Sequence, residues 1–228
     1  MSSARAGDVV RIEPGVYRER VMVLDGVDLA ARIPGTVTVG RPPDANGEVV
    51  GITAFGSLSS RISGIRVEST PELPMEVGVR VADQGRTLEL LDVSGPMHAG
   101  IELLPDSAVT LRGSLLTVLG TAMTLGDRSQ ATLVNNALLH IPASATTRNA
   151  PVEAPISMTA SAQATLTRNV FAGYGPEIVK GADPAARQQM LAGNFVVAAQ
   201  PAGEAAPIAT GSRGSDGQRG APRPGGRR

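Results

Sequence analysis

The chain has no cysteine and no tryptophan, and only two tyrosines, three phenylalanines and two histidines among 228 residues. Without cysteine there are no disulfides and no thiolate metal sites. The two histidines, His98 and His140, stand outside any HExxH-type spacing and do not make a zinc site. So few rings cannot fill a thick globular centre, which leaves a core of thin aliphatic layers, the interior of a narrow tube. The same scarcity removes most of the aromatic platforms on which sugar-binding clefts usually rely. A formal net charge of +0 supplies no global attraction to nucleic acid or to an anionic membrane. No apolar run approaches the roughly 18 residues of a membrane span, and "MSSARAGDVV" lacks the apolar segment of a signal peptide. No compartment follows from these features. There is no EF-hand loop, no nucleophile elbow and no phosphate-binding glycine loop set between a strand and a helix.

What is present is a repeat of short apolar-polar-apolar triplets: "ITA" from 52, "VRV" from 79, "IEL" from 101, "MTL" from 123 and "ISM" from 156. Val79, Ile101 and Met123 follow one another at intervals of 22 residues, and Ile156 comes 33 after Met123. A second strand trails each triplet: "RISGIRV" from 61, "TLELLDV" from 87, "VTLRGSLL" from 109, "ATLVNNALL" from 131 and "ATLTRNVF" from 164. Thr110, Thr132 and Thr165 keep the same intervals, so an insertion falls between repeats, at about 142–154. A period of this length built from strands and turns predicts a stacked solenoid, in which each unit buries its apolar side only against its neighbours. Alternation then sends Ile52, Val79, Ile101, Met123 and Ile156 inward and lines up Thr53, Arg80, Glu102, Thr124 and Ser157 outward, with Arg80 and Glu102 stacked as opposite charges.

The opening, "AGDVVRIEPGVYRERVMVLDGVDLAAR", resembles the first coil of right-handed parallel β-helix domains of the pectin lyase-like superfamily. The shared order is a Gly-Asp turn, an apolar strand, a Pro-Gly-x-Tyr corner and a second strand with Glu and Arg. "LVNNALL" and "LTRNVF" place asparagines where such helices carry an internal ladder, to which Asn136, Asn169 and Asn194 are assigned. The resemblance spans residues 6 to about 197. It implies an all-β fold, a single-stranded right-handed parallel β-helix over 1–199, followed by a disordered Gly/Pro/Arg-rich tail over 200–228. Pro14 and Gly15 are expected to bend the chain, with Gly15 free to take a positive φ, and Tyr17 to pack on the end of the tube. Asp183 and Pro184 start a short helix over 184–191 that partly closes the far end. Family members usually carry a helix before the Gly-Asp turn, so the six residues here imply a missing upstream segment or a protein partner at an uncapped end.

Two functions follow as expectations. The first is a non-catalytic module serving as a scaffold or recognition surface within a larger protein, with a polysaccharide or a protein as its partner. Its binding residues are Arg80, Glu102, Arg112, Thr124 and Ser157, beside Thr53, Thr110, Thr132 and Thr165. The second is a lyase, hydrolase or epimerase acting on an acidic glycan. Asp83, Asp106 and Asp127, at matching offsets after their triplets, would be stacked at equivalent corners, and Arg80, Arg86, Arg112 and Arg128 would grip uronate carboxylates. Asp in "PDSA" and "GDRS" is also an ordinary turn residue. The resemblance brings no catalytic set with it: the Asp-Pro-His-Glu signature of alginate epimerases, the polygalacturonase motifs and the pectin methylesterase arrangement are all unmatched, and Gln84, Gln130 and Gln163 stand outside any motif. No cofactor is implied, calcium being the one ion that an acidic β-helix face would admit.

Overall fold

A computed structural model describes residues 4–140 and 153–197, with the exception of the Asp83 side chain. The expected insertion lies largely, and the tail beyond Val197 wholly, outside the described residues. The chain winds into a parallel β-solenoid of three faces, in which every strand hydrogen-bonds to the matching strand one coil away. The first face carries Val9–Ile12, Asp28–Ala31, Arg61–Ser63, the end of Val77–Glu89, Ala108–Arg112, Gln130–Val134 and Gln163–Thr167. The second carries Gly15–Tyr17, Val37–Gly40, Ile65–Glu68, Asp92–Gly95, Leu115–Val118, Ala137–His140, Val170–Ala172 and Phe195–Val197. The third carries Val21–Val23, Val50–Gly56, the start of Val77–Glu89, Ala99–Leu103, Thr121–Leu125, Ile156–Met158 and Val179–Lys180.

Alternation within these strands builds the core as continuous columns. On the first face Leu29, Ile62, Leu88, Leu111, Leu133 and Leu166 stack in register, all buried. Val39, Val67, Val93, Leu116, Leu138 and Phe171 do the same on the second. On the third, Val21, Ile52, Val79, Ile101, Met123, Ile156 and Val179 form the column that the triplets announce. Each such side chain contributes roughly 1.5–3 kcal/mol over its exposed state, and no ring is needed to close a space this narrow. The tube is tight enough that a Cβ added at Gly78 would stand 2.6 Å from the Gly100 carbonyl of the next coil.

The second strand of each repeat is in fact two strands on different faces. "RISGIRV", "TLELLDV", "VTLRGSLL", "ATLVNNALL" and "ATLTRNVF" each bend at one residue of left-handed backbone: Gly64, Leu90, Gly113, Asn135 and Arg168, with φ between 54° and 71°. Only two of the five are glycine, so at the other three no local signal marks the bend. Just behind the bend lies the asparagine ladder. Asn136 and Asn169 are buried, and each accepts, through Oδ1, the backbone N–H of the residue one coil below: Ser114 N at 2.9 Å and Asn136 N at 3.0 Å. Their amides donate to the Leu111 and Leu133 carbonyls, both at 3.0 Å. Asn194 continues the ladder and ties it to the helix Pro184–Leu191 through the Met190 carbonyl. Asp183 caps that helix by accepting from the Ala185 and Ala186 N–H groups.

The opening corner departs from expectation. Gly15 is not at positive φ but begins a strand, and the Tyr17 hydroxyl donates to the Glu13 carbonyl at 2.8 Å to hold the Pro14 bend.

Candidate functional site

The outward column of the third face runs, in register, through Met22, Thr53, Arg80, Glu102, Thr124, Ser157 and Lys180. The structure thus places four of the expected binding residues, Arg80, Glu102, Thr124 and Ser157, on one straight row at a spacing of about 4.8 Å. Arg80 is the row's centre of charge. Its Nε donates to Glu102, and its two terminal nitrogens donate to Glu48, one of them at 3.2 Å. These hydrogen bonds hold the Glu48 carboxyl below the usual carboxylate range and push the Arg80 guanidinium higher still. Glu48 lies in the loop before Val50–Gly56, where no strand period reaches, and was not identified from the sequence. Each of these partly exposed pairs contributes less than about 1 kcal/mol, so the clamp orients side chains more than it stabilises the fold. Above it Ser157 offers its hydroxyl, whereas Thr124, expected among the binding residues, has its hydroxyl oxygen buried without a hydrogen-bond partner and turned from the surface by the packed neighbouring coils.

Arg112 is elsewhere, on the outside of the first face. It lines an open groove of about 360 Å³ with Asp28, Ser60, Arg61, Thr87 and Glu89. Arg61 lies 3.5 Å from Asp28 and 3.9 Å from Glu89. Thr87, Thr110, Thr132 and Thr165 form their own outward column on this face.

The three aspartates do not share one corner position. Residues 81–84 stay within the continuous strand Val77–Glu89, with the backbone of Asp83 paired to Gly56, and no turn forms there. Asp106 and Asp127 sit in turns, but a shared left-handed backbone and the 22-residue period match Asp106 with Arg128 rather than with Asp127. Arg128 consequently reaches across the coil and grips Asp106 through two parallel hydrogen bonds of 2.6 Å. Those bonds hold the Asp106 carboxyl below the usual range. Asp127 accepts from Ser161 at 3.3 Å. Arg86 faces inward, is fully buried and donates to the Val27 carbonyl, so it cannot meet a surface ligand. Close by, Asp25 accepts the Leu58 and Ser57 N–H groups, which depress its carboxyl, the Leu58 bond most. The expected acids and arginines are therefore spread over two faces and a corner, and among the described residues no three acidic or histidine side chains converge as a metal site would require.

No family model matches the chain, and no curated protein matches it. A solved structure, pectin methylesterase from Yersinia enterocolitica, is similar with a TM-score of 0.48 at 12% identity, over 80% of this chain and 79% of that one. The parallel β-helix described above rests on the strand pairings themselves.

Proposed function

We propose that this chain is a non-catalytic β-helix module whose third face is a recognition surface, with a carbohydrate as the first partner class to test. The observation that carries this reading is the Glu48–Arg80–Glu102 clamp. A general acid needs a raised pKa and a free proton, whereas Glu48 and Asp106 are both held low and ionised by arginines. A cluster of fixed charges with the Ser157 hydroxyl on rigid strands instead suits polar contact along an extended ligand.

A glycan-array screen of the whole chain, repeated with Arg80→Met and with Ser157→Val, tests the proposal. Binding that falls at least tenfold in both variants supports the third face. Binding that neither variant alters, or no binding to any glycan, removes it.

A further inference from the structure

The far end of the tube is covered on one face and open on the next. On the second face the ladder stops at Phe195–Val197, which pairs with Val170–Ala172, and among the described residues no strand pairs with its outer edge. Phe195, Val196 and Val197 are 67%, 46% and 58% exposed. Val196 stands over Phe171 in the inward column, so its exposure marks an open end of the core. The Phe195 N–H donates to the Asn169 carbonyl at 2.8 Å, and the Val197 carbonyl accepts the Gly173 N–H at 3.3 Å. Both residues are thus bonded to the coil below, and alternation along a parallel ladder turns the N–H and C=O of Val196 to the free edge. An edge strand with only apolar side chains, and no lysine, proline or bulge to blunt it, is a template for another strand.

The neighbouring faces decide which strand that is. On the first face the last layer is the helix Pro184–Leu191 in place of a strand, with Met190 and Leu191 against the core. On the third face the described ladder stops one coil short, at Val179–Lys180. A helix is about 10 Å across, or two strand spacings of about 4.8 Å, so it rises one layer above Phe195–Val197. The first coil of another copy, laid on in parallel, would collide with the helix and leave the third face unfilled. A copy turned end for end fits both places: about a two-fold axis normal to the second face, its helix lies over this chain's short third face, and this chain's helix lies over its own. We infer that two copies of this chain join end to end through Phe195–Val197, antiparallel about a two-fold axis at Val196. The two Val196 residues exchange both N–H···O=C bonds, Phe195 lies opposite Val197 of the second copy, and the inward columns become continuous. End-on contact of so narrow a tube buries less than the roughly 800 Å² per partner of a standard interface, so the dimer dissociates at about micromolar concentrations.

The test is sedimentation equilibrium of the whole chain from low micromolar to near-millimolar concentration. A monomer–dimer equilibrium without larger species is expected, at least tenfold weaker in Phe195→Glu, with circular dichroism to show that the coils persist. The chain has no cysteine, so single cysteines report the register. Opposed residues of a hydrogen-bonded antiparallel pair have Cα atoms about 5.5 Å apart, within disulfide reach, whereas like residues two places off that pairing are too far apart. Val196→Cys should therefore cross-link under mild oxidation, and Phe195→Cys should not. The inference is overturned by a chain that stays monomeric over that range, by open-ended assembly, by a dimer that Phe195→Glu leaves unchanged, or by Phe195→Cys cross-linking as readily as Val196→Cys.

Discussion

In the lower coils the corner between the first and second faces is filled by Ile65 and Leu91, both buried; in the upper coils the same place holds Ser114, Asn136, Asn169 and Asn194. The difference concerns who satisfies the backbone. In the upper half each asparagine accepts an N–H from the coil below and donates to a carbonyl there, so a bend made by Asn135 or Arg168 leaves no buried group unpaired. In the lower half hydrophobic contact fills the corner, and Gly64 makes one of its bends without strain. Ser114 is the junction: its hydroxyl accepts the Leu91 N–H at 3.1 Å and donates to the Arg112 carbonyl. One architecture therefore tolerates two solutions, provided that the backbone accounts close at the boundary.

The largest expected effect is from Asn169→Leu, which would strand the Asn136 N–H and the Leu133 carbonyl in the core and cost about 3 kcal/mol, read by urea unfolding. Leu91→Asn, which would extend the ladder into the aliphatic half, should cost roughly 2 kcal/mol, because lost apolar packing outweighs the new hydrogen bonds. A gain in stability there would break the comparison. Ser114→Ala removes the acceptor of one buried N–H and should cost about 1 kcal/mol. The smallest effect is expected at the fully exposed Asp106. Its folded pKa lies below its unfolded value of about 3.9, so its contribution is present above about pH 4 and fades as the pH falls through the folded value. Asp106→Asn should flatten the acid limb of a stability–pH profile slightly and lower the plateau above about pH 4 by the same small amount.

The triplets made the third face legible to the residue, because period-two alternation and a 22-residue repeat together fix both register and inward column. The first and second faces look like one strand in the sequence: at Leu90 and Arg168 the bend is imposed by stacking on neighbouring coils rather than by local turn chemistry. The ladder was visible as asparagines but not as a set of partners, since Asn136, Asn169 and Asn194 are unevenly spaced along the chain. The site was legible where it lies on strands and lost where it does not. Arg80 and Glu102 are adjacent in the repeat, whereas Glu48 comes from a loop. Counting offsets after each triplet also misjudged the acids, since residues 81–84 cross the corner in a continuous strand while the later coils turn there.

The central claim is that the third face recognises and does not transform its ligand. The most direct measurement is a turnover assay on pectate, alginate and related polysaccharides, with and without calcium, following reducing ends and unsaturated products. The account predicts no product above background for the unaltered chain. Turnover that Glu102→Gln or Asp106→Ala abolishes, with the coils intact by circular dichroism, would contradict it and make this β-helix an enzyme.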